Sequence, residues 1–276
     1  MELNGGLLVK VLLISDVHAN LTALEAVAAA EPDAELTLFA GDMVDFGYFP
    51  HEVIAWFRSR NCICVAGNHD REMVALSQSD KAVVQDGALP SYAQYNLSRM
   101  TREDLEYLAA LPNDVHFEVD GISYYMTHYY EEAASEFETC FERQYCRHEF
   151  TAAFESLWSQ KVPGVCDSPR RILLGHTHRT VLLRRGGEDM ILNPGAVGYQ
   201  LGADCLFARG ADYMVIDNGQ VMPRHVDYDT APIRHMLDTV ALSQPARETA
   251  ECIFHTILHP GMRDAELRSH LEHFSF

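Results

Sequence analysis

Basic side chains are scarce in this chain: 21 Lys and Arg stand against 40 Asp and Glu, a formal net charge of −19. Such an excess of negative charge repels polyanions and leaves no basic stripe to follow a phosphate backbone, so duplex DNA or RNA is excluded as an expected partner. Long apolar runs are missing as well. None approaches the ~20 residues of a membrane span, which removes a membrane from the expected partners. The opening Met1 to Gly6 has neither a basic n-region nor a signal-type cleavage site, and a cytoplasmic protein is the expectation. Seven cysteines cannot all pair, and they form neither a C-x₂-C motif nor a small secreted framework, so reduced thiols are expected. Cys62 and Cys64, two apart in an extended run before Gly67, are expected to point together into the core.

What the sequence does have is five short pieces rich in metal-ligating side chains. They are Asp16-Val17-His18, Gly41-Asp42 with Asp45, Gly67-Asn68-His69-Asp70, His128, and Gly175-His176-Thr177-His178. Each lies at the C-terminal end of an apolar run that reads as a buried strand: Leu8 to Ile14, Leu36 to Ala40, Ile63 to Ala66, Ile122 to Met126, and Ile172 to Leu174. Ligand sites in open α/β sheets lie off the carboxyl ends of strands, so five polar clusters in that position are expected to converge. A shared site demands a shared core, and one domain is expected, with its core over about residues 7–228 and a helical C-terminal extension over about 229–276.

Carboxylate, amide oxygen and imidazole with no thiolate among them suit hard to borderline divalent ions such as Mn²⁺, Fe²⁺ or Zn²⁺, not a structural zinc built from Cys. Read as extended chain, the spacing in Asp16-Val17-His18 puts both side chains on one face where they can grip the same ion, and His176 and His178 share that spacing. Asp16, His18, Asp42, Asn68, His128, His176 and His178 outnumber the ligands of one tetrahedral ion and suit two ions sharing a carboxylate, for which Asp42 is the choice. Two such ions bring about +4 against two carboxylates, so the site is locally positive within an acidic protein.

Between the clusters, Leu21 to Ala30 reads as a helix with Leu21, Leu24, Val27 and Ala28 on one stripe and Asn20 as N-cap. A second helix is expected over His51 to Ser59, and a third opens at Thr101 with an acid at N3 and stops before Pro112. The aromatic segment Tyr130 to Lys161, with Phe137, Phe141, Phe150, Phe154 and Trp158, reads as one or two amphipathic helices that form either a lid or a cover on the sheet edge. From Val181 onward, short apolar runs separated by Gly186-Gly187 and Asn218-Gly219 read as antiparallel hairpins, and two helical stretches are expected on either side of Pro245.

The ordered set of motifs from about Val9 to Asp217 resembles the calcineurin-like metallophosphoesterase superfamily. The phrases at 41–48, Asn193-Pro194-Gly195-Ala196-Val197-Gly198 and Tyr213-Met214-Val215-Ile216-Asp217 are similar to its bacterial predicted-phosphodiesterase branch. The resemblance implies an α/β (α+β) fold in which two facing mixed β-sheets form a sandwich flanked by helices. It implies one metal held by Asp16, His18, Asp42 and His178 and another by Asp42, Asn68, His128 and His176, with His69 facing the scissile phosphate and Asp45 orienting it. The expected activity is phosphodiester hydrolysis of a small phosphate ester such as a nucleotide, by hydroxide generated between the ions. Phosphomonoesterase or protein phosphatase action, or a non-catalytic scaffold, are the alternatives. Phe46 stands where the protein serine/threonine phosphatases carry an Arg clamp, which disfavours that activity, and Arg71 is a candidate substitute. His128 is followed by Tyr129 instead of the Gly frequent in the family, leaving His116 and His148 as rival ligands. Asn193 is a further candidate for contacting substrate or shaping the pocket.

Overall fold

Val11–Ile14 forms β1, a strand buried on both faces: Val11 and Leu13 turn to one side, Leu12 and Ile14 to the other. A strand of this kind needs both faces covered, and here one is covered by a second sheet and the other by helices. In the computed structural model, which describes residues 8–129, 152–161, 170–186, 189–199 and 210–254, β1 pairs in parallel with β2 (Leu36–Phe39), and β2 with β3 (Cys62–Cys64). On the other edge β1 pairs antiparallel with β9 (Gly210–Asp217), which pairs antiparallel with β10 (Gln220–Asp227). The first sheet therefore runs β10-β9-β1-β2-β3.

The second sheet also has five strands, in the order β4-β5-β6-β8-β7. Its strands are β4 (Asp114–Val119), β5 (Ile122–Thr127), β6 (Arg170–Leu173), β7 (Thr180–Gly186) and β8 (Asp189–Pro194). β5, β6 and β8 are parallel, while β4 and β7 pair antiparallel at the two edges, so both sheets are mixed. Leu13, Leu38 and Met214 of the first sheet meet Met126, Leu173 and Leu192 of the second in one buried layer. Each such side chain contributes about 1.5–3 kcal/mol on burial.

Helices cover the outer faces. α1 (Leu21–Ala30), α2 (Pro50–Arg58), α3 (Asn68–Ser77) and α5 (Arg102–Ala110) place Leu24, Val27, Val53, Phe57, Met73 and Leu108 against Leu12, Ile14 and Phe39. α4 (Tyr92–Arg99) is held at its start by Ser91 and Gln94, which cap it reciprocally. On the far side α6 (Ala152–Lys161) lays Leu157 and Trp158 on Tyr125, Ile172 and Ile191. The sandwich and its flanking helices agree with the fold implied by the sequence resemblance.

Several elements match the sequence reading residue for residue. α1 spans Leu21–Ala30, and the Asn20 side chain accepts from the Ala23 amide, 3.2 Å away. Asn218 and Gly219 both adopt positive φ (49° and 78°), the backbone a two-residue hairpin turn requires. Cys62 and Cys64 hydrogen-bond to each other and pack on one cluster. Helices α3 and α4 went unpredicted. Pro245, expected between two helices, instead lies in the first turn of α8 (Gln244–Ile253), a place where its missing N–H goes unneeded. With α7 (Ala231–Thr239), α8 carries Ile233, Ala250 and Phe254 onto Tyr48 and Tyr92, beneath the loop that follows β2. Of the Tyr130 to Lys161 segment, expected as a lid or a cover on the sheet, α6 packs on the sheet and the remainder lies outside the described residues. Among the described residues no helix is long and apolar enough to cross a membrane.

The start of α5 yields a stability prediction. Asp104 is buried and accepts from the Thr101 amide (2.8 Å), the Thr101 hydroxyl (2.8 Å) and His51 Nδ1 (2.7 Å). Burial opposes ionisation, but these partners outweigh it and hold the carboxyl below its usual range. A lowered native pKa contributes stability above the unfolded value of about 3.9 and loses it as pH falls through the native value. Asp104→Asn is therefore expected to cost about 1–2 kcal/mol at neutral pH. Urea unfolding should show the deficit narrowing below pH ~4, as the wild-type carboxyl takes up its proton; a deficit constant down to acid would contradict the assignment.

Candidate metal centre

The seven predicted ligands converge at one end of the sandwich. Asp16 and His18 follow β1, Asp42 follows β2, Asn68 lies just beyond β3, His128 follows β5, and His176 and His178 follow β6. Their donor atoms form close groups in which all atoms lie within 4.8 Å of one another: Asp16 with His18 and His178, His18 with Asp42 and His69, and Asp42 with His128 and His176. Asp42 and His18 each belong to two of these groups.

The convergence does not come from extended chain. Asp16 (φ 53°), His18 (46°), Asp42 (64°), His176 (69°) and His178 (57°) all sit in the left-handed region. This conformation costs an L-residue roughly 1–2 kcal/mol, and such outliers gather where function requires them. Asp16 and His18 reach one group because the chain coils between them. The equal spacing of His176 and His178 sends those two residues to different groups, which corrects the one-face reading. Asn68 and His69 are not extended either: they open helix α3, where consecutive side chains diverge by about 100°.

Hydrogen bonds fix the imidazoles so that their Nε2 atoms face inward. The outer Nδ1 atoms of His18, His128 and His178 face the carbonyls of Val44 (3.3 Å), Ala40 (2.7 Å) and Tyr199 (2.8 Å). A carbonyl only accepts, so Nδ1 carries a proton, and in the neutral ring Nε2 holds the lone pair. His18 Nε2 then faces His178 Nε2 at 3.1 Å, with Asp16 Oδ1 3.4 Å from the latter. His128 Nε2 faces Asn68 Oδ1 and Asp42 Oδ2, each at 3.1 Å. Asp16 Oδ1 is buried without a hydrogen-bond donor. Acceptors facing acceptors in a buried site call for a cation between them, and the donor set fits divalent ions.

The titration behaviour has the same origin. Burial pushes the His18 pKa down to about 3, so its imidazole is neutral. Burial also works to lower His128, but the charge and hydrogen bond of Asp42, with Asp16, outweigh it and lift the value to about 9, so without a cation beside it the His128 Nε2 keeps a proton directed at Asp42. The same pull would be satisfied by a metal ion. The imidazoles hold the Asp42 carboxyl well below the usual range despite its burial.

Asp70 was missed in the sequence reading, although an acid three residues after Gly67 at a helix start was the available signal. Its fully buried carboxylate accepts from the amides of Asp42 (3.0 Å), Met43 (2.8 Å), Val44 (3.3 Å) and Gly67 (2.9 Å), tying the loop after β2 to the start of α3. Burial and the Asp42 charge raise its pKa to about 6 against the pull of these amides. Gly67 is required by close approach, since a Cβ there would run into the Asp42 carboxylate and backbone. We expect Asp70→Ala, which strands buried amides, to destabilise the fold by about 3 kcal/mol or more and to weaken metal binding roughly 10–100-fold, as loss of a supporting partner does. Thermal melting and metal titration check both effects; unchanged metal affinity would show that the loops hold without the clamp.

His69 and Asp45 are paired as expected, with Nδ1 2.9 Å from Oδ2. Burial lowers the His69 pKa, but the Asp45 hydrogen bond and the charges of Asp42 and Asp45 overcome it and raise it to about 9. The ring lies edge-on to His18 at 5.1 Å, and Phe46 packs against it at 4.8 Å. Tyr199, another residue not anticipated, fills the space beside His18 (4.9 Å) and His178 (4.5 Å). Asn193 is buried and braces the loop, donating to the Gly175 carbonyl (2.8 Å) and accepting from the Gly195 amide (3.1 Å), so its part is shaping. Arg71 is engaged by the Ala66 carbonyl and Asn113 Oδ1 (2.8 Å). His116 lies on β4, its ring tilted against Tyr125 at 4.8 Å and outside the donor groups, while His148 falls outside the described residues.

Residues 9–216 match the profile of the Calcineurin-like phosphoesterase superfamily domain. An uncharacterized protein of Methanocaldococcus jannaschii is 26% identical over 202 residues, 67% of this chain and 75% of its own length. Among solved structures, a metallophosphoesterase from Sphaerobacter thermophilus is similar with a TM-score of 0.60 at 23% identity, over 88% of this chain and 98% of that one. A hypothetical protein from Pyrococcus horikoshii OT3 gives 0.65 at 16% identity, over 88% and 97%. These two structures share its fold.

Proposed function

The chain belongs to the calcineurin-like phosphoesterase superfamily and is a phosphoric ester hydrolase; from that premise we propose a two-metal phosphodiesterase that acts on a small phosphate ester such as a nucleotide. Asp16, His18, Asp42 and His178 would hold one ion, and Asp42, Asn68, His128 and His176 the other. The observation that carries this reading is the opposition of acceptors around Asp16: His18 Nε2 faces His178 Nε2 at 3.1 Å, beside an Asp16 Oδ1 that is buried without a donor. When bound, two divalent ions supply Lewis acidity, neutralising phosphoryl charge and lowering the pKa of water toward neutrality.

The protein's own groups supply the rest. Asp45 fixes the His69 Nδ1 proton and leaves Nε2 for the substrate, where it stabilises charge on the phosphoryl group and protonates the departing oxygen. Phe46 sets an apolar ring beside His69, which suits the single charge of a diester better than the double charge of a monoester. The scarcity of basic residues supports a small substrate over a polyanion, and we place the enzyme in the cytoplasm as a single domain.

Metal analysis combined with turnover of bis-p-nitrophenyl phosphate and p-nitrophenyl phosphate tests the proposal. Two ions per chain and faster cleavage of the diester are expected. Full activity with one bound ion would overturn the two-metal reading, and preference for the monoester would overturn the diesterase. Bound metal with no turnover of either ester would leave a scaffold.

A further inference from the structure

We propose that Asn96, within α4, is a positioning residue that holds Asp45, and through it His69, in working geometry; this rests on the phosphoesterase reading and deepens the part given there to His69. Asn is a poor helix former, and its amide is costly to bury unless it is bonded. Asn96 nevertheless sits inside a helix and is fully buried. Its bonds account for the choice. Oδ1 accepts from the Asp45 amide (3.2 Å), while Nδ2 donates to the Gly47 carbonyl (3.0 Å) and to the Tyr92 carbonyl one turn back (3.3 Å). A backbone amide only donates and a carbonyl only accepts, so the loop at 45–47 requires a side chain that carries an acceptor and a donor together.

The loop needs such a hold. Asp45 and Phe46 are consecutive left-handed residues (φ 74° and 58°), a conformation that persists only where the surroundings impose it. Coiled in this way, the Asp45 carbonyl accepts from the Gly47 amide (2.7 Å) and Asp45 Oδ1 from the Phe46 amide (2.8 Å), which leaves Oδ2 to face His69 Nδ1. The Asp70 carboxylate binds the amides of Asp42, Met43 and Val44 and stops there. The next amide along the chain, that of Asp45, is the one Asn96 takes. Two side chains thus hold the loop in succession, Asp70 over the metal donor and Asn96 over the partner of His69. None of the three Asn96 bonds goes to a candidate metal ligand, so its influence is directed at the imidazole and not at the ions.

The test is a double-mutant cycle in the Zn²⁺-loaded protein, with an alkyl phosphodiester as substrate and rates taken well below the melting temperature of every variant. Asn96→Ala should keep its metal and lower kcat by roughly 10²-fold, the cost of misplacing a reacting group by about 1 Å. In the His69→Ala background the same substitution should lower kcat no further, because a residue that acts through another then has nothing left to act on. A purely structural role would cost the same in both backgrounds. Asn96→Asp keeps the side-chain size and the bond to the Asp45 amide but loses the donor to Gly47; it runs through the same cycle if the alanine variant does not fold, and its loss should be smaller. Equal losses with and without His69, loss of metal, or wild-type kcat in a folded Asn96→Ala would overturn the proposal. A second readout needs no turnover. The His69 Nδ1–H proton, held by Asp45, should give a downfield imidazole resonance that is absent from His69→Ala and is lost or broadened in Asn96→Ala; its persistence unchanged would also overturn the proposal. If no ester were hydrolysed, the phosphoesterase reading would fall, and this resonance would still decide whether Asn96 holds the pair.

Discussion

Asp42→Asn is expected to strip metal from both groups of donors, whereas Asp16→Asn weakens chiefly the group around His18 and His178. Among the described residues the Asp42 carboxylate has a foot in each place: Oδ2 lies 3.1 Å from His128 Nε2 and 3.8 Å from His18 Nε2, and Oδ1 accepts from the His69 amide at 2.9 Å. An amide in its place removes a negative charge and presents donors where cations belong. Metal affinity should fall by more than the roughly 10–100-fold typical of losing a mere supporting partner, and turnover should fall with it. Asp16 also steadies its surroundings, since its Oδ2 accepts from the His176 amide at 3.1 Å. Its Oδ1 has no such bond and is the atom available to an ion. Metal analysis of both variants after gel filtration decides the matter, and equal loss in the two would contradict the assignment of Asp42 as the shared ligand.

The second large effect belongs to His69. His69→Ala should retain both ions yet lower kcat by roughly 10²–10⁴-fold, the range for a positioned acid–base group. The separation from metal binding follows from the helix start: Asn68 turns to His128 and His176, while His69, the next residue, turns to Asp45. Asp45→Asn should act in the same direction but less strongly, because the imidazole remains and only its orientation and charge are disturbed. The loss in His69→Ala should shrink for a nitrophenyl ester, whose leaving group needs little protonation, relative to an alkyl ester. Equal losses on the two esters would remove the general-acid role, and lost metal would make His69 a ligand.

The sequence carried the placement of the site better than its local geometry. Strand-end positions of Asp16, Asp42, His128 and His176 were readable because buried strands have short, continuous apolar runs. The Asn20 cap and the Asn218-Gly219 turn were readable because each is a local chemical device. The pairing of two sheets came only from the family resemblance, since register between distant strands leaves no local trace. The left-handed backbone at five candidate ligands was invisible for a different reason: only a few per cent of non-glycine residues enter that region, Asp and His more readily than most, and tertiary contacts such as the Asp70 clamp decide which ones do. The packing of α7 and α8 under Tyr48 and Tyr92 was equally hidden, being a contact between segments far apart in the chain.

The division of donors between the two layers has a mechanical consequence. Asp16, His18, Asp42 and Asn68 hang from the first sheet, and His128, His176 and His178 from the second. Each proposed ion would draw on both, so the pair would rivet the halves of the sandwich at one end as the apolar layer glues them along their length. Opening the seam would require releasing the ions, and binding free energy would add to the free energy of unfolding, raising the melting temperature with metal concentration. The rivet also transmits in the other direction. A substitution in the buried layer that slides one sheet past the other would misalign both ion sites together, even from a position that touches neither.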